Sequence, residues 1–159
     1  MTKEQLGNMI IASEDHLYRV AKLLLNNDAD CADAIQEAIV KAFSKLHTLR
    51  NDKYARTWLI RILMNECYTT MRKEKKFVSL EAIQEGATTE ENDYTDLYQA
   101  VSKLPADLRV AVLLYYSEGY SVKEIAAIED TTESAIKNRL HRARTKLRGM
   151  LAEEEACNL

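Results

Sequence analysis

Proline occurs once and glycine four times in 159 residues, so the sequence has little of what builds tight turns, and a turn-rich sandwich or barrel is disfavoured. Aromatic residues are only 7% of the chain, against 47% apolar and 30% charged residues. An all-α protein is the expectation from this balance. The three cysteines, Cys31, Cys67 and Cys157, are odd in number, widely spaced and without histidine pairs beside them. That argues against a disulfide framework or a zinc site and fits a reducing cytosol. No stretch approaches the roughly 20 apolar residues that span a bilayer, and no basic segment followed by an apolar run opens the chain. A cytoplasmic protein is expected. A glycine-rich phosphate loop, a metal-ligand cluster and a nucleophile constellation are also missing, and His16, His47 and His141 are far apart. Catalytic residues, cofactors, metals and a small-molecule substrate are therefore not expected.

What is present is a strong segregation of charge. The net charge of −3 would disfavour nucleic-acid binding if it were spread evenly. Between residues 77 and 99, however, every charged residue is acidic: Glu81, Glu85, Glu90, Glu91, Asp93 and Asp96. Between residues 137 and 148 every one is basic: Lys137, Arg139, Arg142, Arg144, Lys146 and Arg148, with His141 among them. A second basic cluster, Arg72, Lys73, Lys75 and Lys76, ends the first half. Such asymmetry points to a basic surface kept apart from an acidic tether.

Apolar periodicity divides the chain in two. Leu17, Val20, Ala21 and Leu24 recur at helical spacing, residues 26–30 interrupt, and Ile35, Ile39, Ala42, Phe43 and Leu46 form the apolar stripe of a second helix. Asp33, Gln36, Glu37 and Lys41 fall outside that stripe. Residues 49–53, with Asn51 and Asp52, read as a loop, and a third helix over about 54–75 has Trp58, Leu59, Ile62 and Leu63 as its apolar residues. Three helices of this kind can bury one another. From residue 77 to about 93 periodicity fades, as expected of a flexible acidic linker. Leu97, Val101 and Leu104 restart a helix, Pro105 suits the first turn of the next, and Gly119 suits its end.

Ser121 and Glu124 form a capping box ahead of Val122, Ile125, Ala126 and Ile128, so a short helix starts there. Glu129, Asp130 and Thr131 make a polar turn, and a basic helix follows over about 132–151. Two helices joined so tightly, the second basic, are the pattern of a DNA-binding helix-turn-helix. Ile136, Leu140, Ala143 and Leu147 form its core stripe, which leaves Ser134, Asn138, His141, Arg142 and Thr145 on the opposite face. Asn138 and Lys137 can read base edges, while the arginines can neutralise phosphates. Glu133 fits either a contact to a cytosine amino group or favourable placement at a helix N-terminus.

Over nearly its whole length the chain resembles the extracytoplasmic-function branch of the sigma-70 family. DAIQEAIVKAF (residues 33–43) resembles the family's D-x-x-Q-E helix, ARTWLIRILMNECYTTMRKEKK (55–76) its W-L-x-x-I-x-x-N helix, and LPADLRVAVLLYYSEGYSVKEIAAIEDTTESAIKNRLHRARTKLR (104–148) its domain for the minus-thirty-five promoter element. The resemblance implies two small helical domains, residues 1–76 and 96–152, joined by a linker over 77–95 and followed by a tail over 153–159. It implies an alternative sigma factor that binds core RNA polymerase, at the clamp helices of the largest subunit and the flap of the second largest, and that opens promoter DNA. It also admits an anti-sigma factor as a partner. By the same resemblance Asp33, Gln36, Glu37 and Lys41 would bind polymerase. Asn51, Tyr54, Arg56, Arg61, Asn65, Arg72 and Lys73 would serve the minus-ten region, and Glu133, Ser134, Lys137, Asn138, Arg139, His141 and Arg142 the minus-thirty-five region. Three positions depart from the family pattern: Asp130 stands at a usual turn glycine, Ile39 at a common aromatic and Thr69 at a common aspartate. A stand-alone helix-turn-helix regulator would account for the C-terminal half but gives the two earlier motif helices no task.

Overall fold

The computed structural model describes residues 1–78 and 95–157. Most of the acidic linker expected over 77–95, and the end of the expected tail, lie outside the described residues. Among the described residues there are eight α-helices, two single-turn 3-10 helices and no strand. Backbone contacts group the chain into two compact units, whose described parts are residues 1–78 with 127–131, and residues 95–126 with 132–157.

The first unit opens with a helix that the apolar pattern did not show, α1 (Lys3–Ala12). Its start is a capping box: the Thr2 hydroxyl accepts from the Gln5 N–H at 3.1 Å, and the Gln5 side chain accepts from the Thr2 N–H at 2.9 Å. Only Leu6 and Ile10 are buried along it, too few to register as periodicity. α2 (Glu14–Lys22) buries Leu17, Val20 and Ala21 as expected, together with His16. α3 (Asp28–Ser44) begins earlier than the expected break allowed, because Asn27 caps it by accepting from the Asp30 N–H at 2.8 Å.

The face that α3 turns inward also differs from expectation. Cys31, Ala34, Ala38 and Ala42 are the buried residues, whereas Ile35, Ile39, Phe43 and Leu46 are only half-buried. Small side chains on the inner stripe let α4 (Ala55–Val78) approach closely, since helix separation follows the size of the side chains at the contact. The larger residues then cover the margins. α4 contributes Leu59, Ile60, Leu63, Met64 and Cys67 to the core, while Trp58 and Ile62 are half-buried. Each fully buried leucine or isoleucine of this set stabilises by about 1.5–3 kcal/mol, several times any helix-propensity difference, so packing decides the rotation of α4. Between α3 and α4, residues 46–48 and 52–54 form the 3-10 turns, and the Asn51 side chain accepts from the Lys53 N–H at 3.0 Å.

Burial also sets the chemistry of the two thiols in this core. Desolvation raises the Cys31 pKa and pushes Cys67 up to about 12. On the surface, the Asp28 carboxylate accepts from the Tyr18 hydroxyl and pairs with the Lys22 ammonium at 2.8 Å. The Lys22 hydrogen bond, then that of Tyr18, holds the Asp28 carboxyl below the ordinary carboxylate range.

In the second unit α5 (Thr95–Ser102) and α6 (Ala106–Tyr116) both pack on α8 (Glu133–Cys157). Ala100, Val101 and Leu104 are buried, whereas Leu97, expected on the same stripe, is exposed. Pro105 is the N-cap of α6 in extended conformation (φ −52°, ψ 147°) and not its first helical residue, a shift of one position from expectation. Gly119 adopts φ 74°, and the reversal it permits closes with the Tyr120 N–H donating to the Leu114 carbonyl at 2.9 Å. α7 (Val122–Ile128) has the expected capping box, with Ser121 Oγ accepting from the Glu124 N–H at 3.1 Å and the Glu124 carboxylate from the Ser121 N–H at 3.0 Å. In the turn that follows, Asp130 takes φ 53°. Aspartate reaches this left-handed conformation more readily than most residues, which is why the position tolerates the missing glycine.

Candidate nucleic-acid interface

α8 starts one residue later than expected, with the Thr132 hydroxyl capping it by accepting from the Ala135 N–H at 3.1 Å. Ile136, Leu140 and Ala143 are fully buried and Leu147 half-buried, so the rotation of the helix is set. Glu133, Ser134, Lys137, Asn138, His141, Arg142 and Thr145 are consequently exposed together on its outer side. Arg139 is half-buried nearer the core stripe. Glu133 is the acidic residue of the first turn, a placement that suits the positive end of the helix dipole. The exposed group combines an amide and an ammonium near the N-terminus with cations farther along, which is the chemistry of base-edge and phosphate contacts respectively.

α4 presents a second exposed face. At roughly 100° per residue, Arg61, Asn65 and Arg72 lie on one stripe with Trp58 and Thr69, and Lys73 lies about a quarter-turn away. Arg61, Asn65, Arg72 and Lys73 are exposed. Arg72 donates to the Thr69 hydroxyl at 3.4 Å, and that hydroxyl donates to the Asn65 carbonyl at 2.9 Å. Arg56 falls on the opposite azimuth and is not brought to this stripe. Asn51 and Tyr54 are exposed in the turn that leads into α4, where Lys53 lies 6.0 Å from the Tyr54 ring centre.

α3 carries a third exposed face. Asp33, Gln36 and Glu37 are all exposed on one stripe. Lys41 is not with them. It is half-buried and hydrogen-bonded to Glu66 of α4, a carboxylate in the core that sequence reading passed over because a single glutamate inside an apolar helix pattern gives no periodic signal. A second omission is Val40, 63% exposed in the middle of the Asp33, Gln36 and Glu37 stripe. An exposed apolar side chain framed by polar ones can supply the apolar centre that contact surfaces place inside a polar rim. Its spacing of seven from Asp33 was the available signal.

Two family models cover most of the chain: sigma-70 region 2 matches residues 9–77, and sigma-70 region 4 matches residues 94–147. The RNA polymerase sigma factor SigV of Bacillus subtilis is 31% identical over 159 residues, covering 97% of this chain and 95% of the relative. The chain belongs to the sigma-70 family. Other relatives carry the extracytoplasmic-function (ECF) designation. SigM of Mycobacterium tuberculosis is 30% identical, covering 85% of this chain and 71% of its own, and sigma-E of Escherichia coli is 28% identical, covering 86% and 82%. Among solved structures, the sigma factor RpoE from Bartonella quintana, in complex with the anti-sigma factor NepR, aligns at a TM-score of 0.75 with 27% identity, over 94% of this chain and 98% of that one. As an ECF sigma factor the protein directs RNA polymerase to promoters, in a family whose members are not in general enzymes. No helix among the described residues is long and apolar enough to cross a membrane.

Proposed function

We propose that residues 1–76 dock the factor on core RNA polymerase and open the minus-ten element, that residues 77–95 serve as a tether, and that residues 96–152 recognise the minus-thirty-five element. One observation carries this reading. Asp33, Gln36 and Glu37 share an exposed stripe of α3, while Arg61, Asn65 and Arg72 share an exposed stripe of α4, so protein and DNA contacts use separate helices and do not compete. Val40 adds an apolar centre to the docking stripe, whose carboxylates call for a cationic rim on the polymerase surface. Lys41 acts from behind by fixing α3 against α4 through Glu66. On the DNA side, unstacking a base pair costs a few kcal/mol, offset when an extruded base finds stacking and edge contacts. Tyr54 and Asn65 supply those groups, and Arg72 and Lys73 supply salt-sensitive phosphate contacts.

Neither unit need hold DNA tightly by itself, because polymerase and the tether convert the second contact into an intramolecular one. The net negative charge of the chain discourages binding without polymerase. RpoE was solved with an anti-sigma factor, and the same kind of partner is proposed here, with the protein acting in the cytoplasm where polymerase and promoters are. The test is competition for purified core polymerase by a variant with Asp33, Gln36 and Glu37 all changed to alanine. The variant is expected to fold and to lose core binding. Unchanged affinity for core would remove the docking assignment.

A further inference from the structure

We infer that Tyr116 and Arg144 together grip a backbone phosphate of bound DNA at the flank of α8, a contact separate from the residues that read bases. The inference rests on the minus-thirty-five role proposed for α8. A helix with its side chains is about 10–12 Å across and the major groove about 12 Å wide. A helix lying in the groove therefore turns its flanks toward the phosphate walls. Arg144 occupies such a flank, about 100° round the axis from Thr145 at the centre of the outer face. Lys137, His141 and Arg148 share that flank, respectively seven, three and four residues from Arg144. All three are exposed, and none of their side chains has a partner among the described residues. Arg144 and Arg148, four residues apart in this row, are like charges that repel one another, so the row is unfavourable until an anion lies along it.

The geometry at Tyr116 prepares one member of the row for that anion. Arg144 Nε donates to the Tyr116 hydroxyl oxygen at 2.8 Å, and the guanidinium carbon lies 5.7 Å from the ring centre. The ring is itself held edge-on by Tyr115, with centres 4.9 Å apart and planes at 83°. Tyr116 is nevertheless 60% exposed. Its hydroxyl accepts from Arg144 and keeps its own proton to donate. The Nε bond is the one hydrogen bond the Arg144 side chain makes among the described residues, so the N–H groups of both terminal nitrogens remain. A planar fork whose orientation is already set, beside a free hydroxyl donor, is the donor set that suits two oxygens of a phosphate. An acidic protein surface would also carry such oxygens. DNA is favoured because the row runs on from Lys137 and Asn138 along the same helix, within about 16 Å.

The test uses the full chain assembled with core polymerase, bound to promoter fragments that differ in the minus-thirty-five element, at several salt concentrations. Arg144→Ala is expected to weaken binding about equally on every fragment and to flatten the logarithmic salt dependence by about one unit. Tyr116→Phe keeps the ring but loses the hydroxyl, and is expected to weaken binding roughly three- to fivefold with the salt slope unchanged. Arg144→Lys retains the charge without the fork, so the slope should persist while affinity falls, a pattern that misfolding would not produce. Wild-type affinity for both Arg144→Ala and Tyr116→Phe, with Asn138→Ala still shifting sequence preference, overturns the phosphate grip and leaves the minus-thirty-five role standing. An Asn138→Ala variant that behaves as wild type on every fragment overturns both. A loss confined to core binding measured without DNA assigns the row to an acidic protein surface and overturns the inference.

Discussion

The Lys41 ammonium on α3 closes on the Glu66 carboxylate of α4, with the lysine side chain 45% and the glutamate side chain 11% exposed. Lys41→Ala leaves a nearly buried carboxylate without its cation and should cost about 1–3 kcal/mol, the half-exposed lysine keeping it at the lower end of the range for broken buried pairs. Glu66→Gln retains an acceptor for the lysine and should cost less. Replacing both, by Lys41→Met with Glu66→Leu, should recover most of the loss. Urea unfolding with an unchanged slope measures all three. A Lys41→Ala protein as stable as wild type would show the pair to be unimportant, and a loss of polymerase affinity beyond its stability cost would make Lys41 a direct contact.

Asn65 on the α4 stripe and Asn51 in the preceding turn are exposed and are proposed to serve strand opening. Alanine at either position should spare assembly with core polymerase but reduce the open complex. Permanganate reactivity of promoter thymines reports this directly. Wild-type reactivity in both variants removes the assignment.

On α8, Asn138 and Arg142 are both exposed but lie a turn apart. Asn138→Ala should cost on the order of 1–3 kcal/mol on the preferred minus-thirty-five sequence and much less on others. Arg142→Ala should weaken binding uniformly and reduce the salt slope by about one unit. Binding to a panel of promoter variants at several salt concentrations separates the two. The reverse pattern would mean that the roles are exchanged.

Cys67 is buried and its thiol is pushed up to about 12 by desolvation. Because the folded value lies above the ordinary thiol value, the folded state holds the proton longer than the unfolded chain does. The associated stability is present below about pH 9, and it is lost as pH rises through the folded value. Stability should therefore decline across this alkaline window, and Cys67→Ala should decline less steeply. Burial keeps Cys67 a protonated, inaccessible thiol at about pH 8, so alkylation of native protein mapped by mass spectrometry should leave this residue unlabelled. Rapid labelling of Cys67 under those conditions would contradict its burial.

Much of the C-terminal half was legible in the sequence because its signals are local. Ser121 and Glu124 meet across one turn of chain, Asp130 tolerates its left-handed conformation by its own chemistry, and Ile136, Leu140 and Ala143 are a periodic stripe whose opposite face follows from helix geometry alone. The family resemblance likewise rests on residue order and spacing. Charge segregation between the acidic run and α8 needs no coordinates either.

Only tertiary structure decided the rest, because it depends on what one helix meets on another. α3 holds both a stripe of large apolar residues and a stripe of alanines, and the sequence favours the first. Close packing against α4 buries the second, Ala34, Ala38 and Ala42 with Cys31, and moves Ile35 and Ile39 to the margin. The same rotation leaves Val40 in solvent beside Asp33 and Glu37, and takes Lys41 away from them to Glu66. Tyr116 and Arg144 are 28 residues apart in sequence and meet only because α6 packs on α8. Periodicity states which residues of one helix share a face, whereas the volume and charge of the neighbouring helix decide which face turns inward.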